Sequence, residues 1–413
     1  MSGSRPSLPA PSALAAAWSL DPGVTYLNHG SYGAAPRSVL ARQAALRGRI
    51  EQEPERFYVR HLEGMSDEVR RALGGFLGAD PDNLAQVSNA TAGVNAVLRS
   101  LDLGPGDELL TTNHAYNACG NALAYVAGRT GAQVVRAVVP FPSCGPEEAA
   151  AAVLDRVTER TRLVLLDHVT SPTGVILPVE RLVRSIQERG IDVLVDGAHA
   201  PGMIPLALDS LGAAYYTGNC HKWLCAPKGA AFLYVRRDRQ ERIHPLVISH
   251  GANSLRTDRS RFRLEFDWGG TIDPTAWLCV PAALEAVAAL VPDGWPEVMA
   301  RNHALAVEAR RTLCAALEVT PPCPEEMLGS LAAVQLPDGD GKRRPPPGLD
   351  PIQDALLERF GIEVPINAWP APPRRWVRVS AQLYNSVEQY VYLAEALRTL
   401  LAEEAREESA SRA

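Results

Sequence analysis

Residues 162–223 read RLVLLDHVTSPTGVILPVERLVRSIQERGIDVLVDGAHAPGMIPLALDSLGAAYYTGNCHKW. Arg162–Asp167 (RLVLLD) is an apolar run of strand length that ends in an acid. Pro178 then opens a helix, PVERLVRSIQER, which Gly190 closes. Ile191–Asp196 (IDVLVD) is the next strand, and Ala213–Thr217 (AAYYT) another. Upstream, Glu108–Thr112 and Gln133–Val139 read as strands around a helical stretch, Asn117–Ala127. Strands alternating with helices predict an α/β fold with a mainly parallel sheet covered on both faces. Ligands of such sheets sit beyond the C-terminal ends of the strands.

Two residues of the quoted stretch stand at such ends. Asp196 closes IDVLVD, where its plain reading is a helix cap. Lys222 follows AAYYT in TGNCHKW, where its plain reading is a solvated loop lysine. Together they form the pairing that pyridoxal phosphate requires. A lysine amine condenses with the aldehyde, and an aspartate keeps the pyridine nitrogen protonated. Lysine scarcity favours this reading: of 41 basic residues only Lys222, Lys228 and Lys342 are lysine. Where arginine is so widely preferred, a retained lysine points to chemistry that a permanently charged guanidinium cannot perform. Lys228, entering the strand of APKGAAFLYV, is the fallback. A phosphate site is expected where the short strand LAQVS meets the helix TAGVNAVLRSL, since small residues and a helix N-terminus suit an anion.

From about Asp273 the texture changes. Trp277–Val291 reads as an apolar helix, Gly329–Leu336 and Arg375–Ser380 as strands, and Ser386–Ala402 as a last helix before a frayed tail, Glu403–Ala413. Pro337–Leu349 is a polar, Pro-rich loop. The 413 residues exceed one typical core. The expected division is an N-terminal arm (1–26), a large cofactor-binding domain (27–275) and a small α+β domain (276–413). A net charge of −6 with scattered arginines offers no nucleic-acid or anionic-membrane surface. Seven cysteines, Cys144 among them, show no C-x-x-C pair, which fits reduced thiols in a cytoplasm and no metal site. Neither a secretory leader nor a membrane span is legible.

Taken in order, LNHGSYG (27–33), SNATAGVN (88–95), DHVTSPTG (167–174), VDGAHAPG (195–202), TGNCHKW (217–223), DWGGTIDPT (267–275) and VRVSAQLYN (377–385) resemble the class V aminotransferase family of fold-type I pyridoxal-phosphate enzymes. The likeness is strongest to its isopenicillin N epimerase-like branch. The resemblance implies a phosphate cup from Ala90 and Thr91, with Asn219 and His221 adding donors. Ser171 and His199 would lie near the ring's 3-oxygen. His114 would stack on the pyridine face, with Tyr116 competing for stacking or proton transfer. Arg378 would clamp the substrate carboxylate, assisted by Asn28. Thr271 would reach the phosphate in a neighbouring subunit, which implies a homodimer with shared active sites. Trp223 and Trp268 read as packing, and His29, His168 and Asn95 as satisfied polar groups.

Such a site abstracts the α-proton of an amino acid with Lys222, and the routes then diverge. Persulfide-forming relatives carry a cysteine on the small-domain loop, whereas Pro337–Leu349 has none and Cys323 reads as structural. That leaves an epimerase or racemase, with Tyr116 or His114 as second proton donor. It equally leaves a carbon–sulfur β-lyase on cysteine or a cysteine S-conjugate, sulfoxides included, or an aminotransferase. The branch tilts the expectation to epimerase-like chemistry. A non-catalytic binding protein of this fold is a distant alternative, because Lys222 and Asp196 are both present.

Overall fold

The computed structural model describes residues 7–142, 145–342 and 348–412. Cys144 and residues 343–347 of the Pro-rich loop lie outside the described residues. The strands are β1 (Thr25–Tyr26), β2 (Leu84–Val87), β3 (Glu108–Thr112), β4 (Gln133–Ala137), β5 (Thr161–Asp167), β6 (Asp192–Asp196), β7 (Tyr215–Asn219), β8 (Ala231–Val235), β9 (Leu331–Leu336), β10 (Ile362–Glu363), β11 (Ile366–Ala368) and β12 (Arg375–Ser380).

Seven of them form one sheet in the order β2-β8-β7-β6-β5-β3-β4. Only β8 runs antiparallel to its neighbours. The run RLVLLD is apolar throughout because both faces are covered. Val164, Leu166, Val193 and Val195 join one core cluster, and Leu163, Leu165, Leu194 and Tyr215 the other. The sheet grows outward from β3 to β4, then returns to pair β5 with the other side of β3. That reversal opens a crevice beyond the C-terminal ends of β3 and β5, the place where open α/β sheets bind ligands.

A second, antiparallel sheet has the order β11-β12-β9. The helices Trp295–Leu317 and Val387–Arg412 pack together beside it. The N-terminal segment ties the two ends of the chain: β1 pairs in parallel with β10, and Leu27 O accepts from Ser380 N at 2.9 Å. The last β12 residues and the N-terminal segment therefore converge on the crevice.

Two expectations are corrected. The tail is helical to Arg412 because its acids are held. Glu404 pairs with Arg375, which is buried and also pairs with Asp350, and Glu403 makes a two-pronged bond to Arg359. The apolar stretch Trp277–Val291 is broken rather than continuous, with Thr275–Leu278 and Val280–Ala288 meeting at Cys279. Pro281 lacks the N–H that would bond back across that joint.

Candidate active site

The quoted strands deliver their last residues to one place. In the register of β5 against β6, Asp167 lies beside Asp196. Side chains alternate along a strand, so both acids share the face of Leu165 and Leu194. Cys119, from the helix Asn117–Thr130 that covers this face, donates its thiol to Asp196 Oδ2 at 3.2 Å, and Ala198 N–H donates to Oδ1 at 3.0 Å. Burial raises the pKa of both carboxyls, and the Asp196 charge raises that of Asp167 further. Asp196 is relieved by its two donors and by the positive charge of Lys222. Asp167 is therefore the more strongly raised of the two, and Asp196 the better placed to carry negative charge. Asp167 opens the motif DHVTSPTG but is given no role by it, and Cys119 lies in no motif.

Lys222 sits in the turn after β7, and its Nζ lies 3.1 Å from His199 Nε2. Burial, aided by the nearby Arg378 charge, lowers the lysine to about 7. His199 is also held neutral by burial and by Lys222. With Nε2 accepting from the amine, its Nδ1 carries the proton, and that buried Nδ1 has no partner among the described residues. The backbone of Lys222 is pinned from the N-terminal segment. His29 Nε2 donates to the Lys222 carbonyl at 3.0 Å, and its Nδ1 accepts from Tyr384 O–H at 2.9 Å. A carbonyl can only accept, which sets the tautomer. Burial pushes His29 down to about 3, so it stays neutral. His29 is thus a brace for the lysine, a role its sequence context does not disclose. Lys228 is occupied elsewhere, donating to Gly33 O at 2.9 Å.

Around this centre the structure brings together most of the expected residues. Ala90 opens the helix Ala90–Ser100, and its N–H donates to Asn219 Oδ1 at 2.9 Å, with Thr91 next in the first turn. His221 bonds Ala230 O through Nδ1 at 3.1 Å, leaving Nε2 free of that contact. Buried Arg378, on β12, spreads its fork over Ser171 O (2.5 Å) and Ser31 Oγ (2.9 Å). Ser31 in turn donates to Asn28 Oδ1 at 2.5 Å. Arg378 Nε is buried without a partner among the described residues. A cleft of about 760 Å³ is lined by Asn28, Tyr116, Ser171 and Arg378.

Of the two candidates for the ring face, only Tyr116 lines this cleft. His114 is buried with both ring nitrogens engaged, to Thr173 Oγ1 (2.8 Å) and Val139 O (3.2 Å), and its ring packs 4.4 Å from that of Trp369. Thr271 is exposed and outside the cleft, with no hydrogen bond among the described residues.

These residues fit a phosphorylated pyridine aldehyde. An amine of lowered pKa, an aspartate at the neighbouring strand end and backbone donors at a helix start surround one crevice. Two buried donors there, His199 Nδ1 and Arg378 Nε, await an acceptor.

The comparisons agree. Residues 51–342 match the family model for aminotransferase class-V. The chain is 35% identical to isopenicillin N epimerase of Streptomyces clavuligerus over 399 residues, covering 93% of this chain and 96% of that protein. It is 32% identical to a probable chloroplastic L-cysteine desulfhydrase of Arabidopsis thaliana, covering 92% and 84%. Among solved structures, a complex of the cystine C-S lyase C-DES with its product cysteine persulfide superposes with a TM-score of 0.76 at 24% identity, covering 91% of this chain and 97% of that one. The cysteine desulfurase CsdA of Escherichia coli gives 0.75 at 21%, covering 94% and 98%. The two superpositions bear out the fold-type I architecture.

Proposed function

This chain belongs to the class V aminotransferase family, and we propose that it epimerises the α-carbon of an amino acid, with Lys222 as cofactor anchor and base. It is a pyridoxal-phosphate-dependent enzyme, as its family is. The observation that carries our reading is the Lys222 amine, lowered to about 7 beside neutral His199 and within the field of Arg378. The likeness to isopenicillin N epimerases over nearly the whole chain supports the isomerase branch.

Bound pyridoxal phosphate supplies the electron withdrawal that makes an α-proton acidic. The chain does the rest. Thr91 N–H, with Asn219 and His221, would hold the phosphate at the helix start, joined by Ala90 N–H once it gives up Asn219 Oδ1. Asp196 would face the pyridine nitrogen with its charge, and His199 Nδ1 and Ser171 would meet the ring's 3-oxygen. Arg378 would exchange its present acceptors for the substrate carboxylate, with Asn28 holding Ser31 in place. Lys222 would take the proton from Cα. Tyr116, whose phenol burial keeps protonated, would give one back from the cleft side. Thr271, exposed here, would complete the phosphate site of a second copy in a homodimer. Six buried cysteines without disulfides, among the described residues, suit a reducing cytoplasm. No helix among the described residues is long and apolar enough to cross a membrane. We divide the chain into an arm, a large domain and a small domain near residues 26 and 275.

A carbon–sulfur β-lyase is the second reading, favoured by the desulfhydrase relatives. Incubation with L-amino acids and cysteine S-conjugates in heavy water separates the two. Deuterium at Cα with inversion is the expected result. Pyruvate with released thiol or sulfide, and no inverted product, would replace epimerisation with elimination.

Arg378→Ala is expected to cost roughly 2–5 kcal/mol in kcat/KM for every amino-acid substrate, because a charge-assisted pair to the carboxylate is lost. Arg378→Lys should recover part of it, since a point charge cannot reproduce the fork. The matching decarboxylated amines should be poor substrates for both proteins and little changed by the substitution. Equal harm to acid and amine would assign Arg378 to the fold instead.

A further inference from the structure

A second cleft, of about 900 Å³, opens on the other face of the main sheet, between the helix Val179–Gln187 and the segment 204–211. It shares no lining residue with the cleft that holds Arg378. Leu177, Val179, Ile204 and Leu208 give it an apolar lining. One buried polar side chain reaches it. His168 follows Asp167 at the end of β5, so it points away from the two acids, to the face of Val164 and Leu166. Only 9% of His168 is exposed, and its Nδ1 lies 2.9 Å from Tyr216 Oη. The Tyr216 phenol is fully buried and has no other partner among the described residues, so its O–H donates to Nδ1. Burial holds His168 neutral, pushed down to about 4, and the ring proton therefore sits on Nε2. That N–H has no partner among the described residues. It is not one of the atoms sealed inside the core, and it faces the cleft. The reading of His168 as a satisfied polar group holds for one ring nitrogen and fails for the other.

An apolar lining with one inward N–H suits a mainly apolar molecule that carries one oxygen acceptor. The charges at the mouth balance, Glu180 and Glu188 against Arg181 and Arg184, and Arg181 is already paired with Glu147. A carboxylate would leave water for a single neutral donor, which costs more than it returns. A neutral carbonyl asks only for that one bond. His168 also touches the candidate active site from behind. Its backbone N–H donates to Asp196 O at 2.9 Å. The Tyr216 ring and hydroxyl pack against Gly197, where an added Cβ would collide with both. A group drawn onto Nε2 thus bears on the turn that carries Asp196 by two routes.

We propose that this cleft is an effector site: it takes a small, mainly apolar molecule through one carbonyl oxygen on His168 Nε2, and its occupation is felt at Asp196. The site is separate from the cofactor crevice and does not depend on which reaction that crevice performs. Coupling of this kind requires only that the ligand favour one arrangement of the His168–Tyr216 pair over another.

The test is a ligand NMR titration of the holoenzyme with acetophenone and 2-heptanone. Each is set against the isostere in which a methylene replaces the carbonyl oxygen, α-methylstyrene and 2-methyl-1-heptene, and benzoate serves as the anionic arm. The ketones should bind at least about threefold tighter than their isosteres, the scale of one hydrogen bond, and tighter than benzoate. Their binding should also shift the visible absorbance of the bound cofactor. His168→Phe keeps a ring without the N–H, so it should bring the ketone-to-isostere ratio close to one and abolish the shift. Ser210→Trp, on the exposed rim, should fill the cleft and abolish ketone binding while leaving the melting temperature and cofactor load unchanged. If His168→Phe fails to fold, Ser210→Trp decides. No preference for the ketones would overturn the site, as would a preference that survives His168→Phe or ketone binding that survives Ser210→Trp. Tighter binding of benzoate would overturn the choice of a neutral ligand. Ketone binding with an unchanged cofactor spectrum would overturn the link to Asp196.

Discussion

Lys222→Ala is expected to lower α-deuterium exchange by about 10⁴-fold or more, since one group is proposed to serve as both covalent anchor and base. The fold should survive, because the side chain makes a single hydrogen bond among the described residues, to His199 Nε2. Removing it also removes a cation that sits unfavourably near Arg378. Lys222→Arg should fail as fully, because guanidinium neither condenses with an aldehyde nor gives up its proton. The lowered lysine adds a pH signature. Its ammonium is inert below about 7 and its free amine reacts above, so capture of pyridoxal phosphate by the apoprotein should speed up as pH rises through that value. Native enzyme reduced with borohydride and digested should carry its pyridoxyl label on the peptide of Lys222. Label on Lys228, or exchange within tenfold of the parent enzyme in Lys222→Ala, would sink the assignment. Lys228 is the poorer candidate because its amine already donates to Gly33 O.

The strand ends are legible because β3, β5, β6 and β7 are short, largely apolar runs closed by a polar residue. The period of the pattern alone places Asp196 and Lys222 at adjacent ends. The same logic extends to RLVLLD, whose last residue also opens the motif DHVTSPTG, although the resemblance assigns it no role. Asp167 closes its strand as Asp196 closes the next, and equal register puts the two acids side by side. Cys119 carries no such signal, since only the packing of its helix on the sheet brings it to Asp196. Contacts made far along the chain are also hidden. The two-residue pairing of β1 with β10 lacks a periodic pattern, and the helices Arg37–Gln52 and Leu62–Leu77 are marked by no motif. The tail reads as frayed because its acids look solvated until Arg359 and Arg375 are brought against them. His114 and Tyr116 lie two residues apart, and no rule of spacing tells which ring is drawn into the aromatic cluster with Trp369 and which is left at the cleft.

Asp196→Asn should lower turnover by roughly 10²–10³-fold, the scale of losing one preorganised electrostatic partner at a reacting system. The amide is close in shape, so the change tests charge rather than packing. Its carbonyl oxygen can still accept from Ala198 N–H, which keeps the local turn. What would disappear is the charge proposed to keep a proton on the cofactor's pyridine nitrogen. The neighbouring acid limits the loss. Burial and the charge of Asp196 both push the Asp167 carboxyl's pKa up. Once that charge is gone, Asp167 should ionise more easily, so part of the lost activity should return as pH is raised. The double variant Asp167→Asn/Asp196→Asn should lose that return and fall further. Asp167→Asn alone should be mild, because burial and the charge of Asp196 already disfavour the charged form of that carboxyl. The decisive measurement is α-deuterium exchange against pH for the three variants, alongside the visible absorbance of the bound cofactor. Near-parental exchange in Asp196→Asn at neutral pH would make Asp196 a structural cap and require another source for the charge opposite the nitrogen.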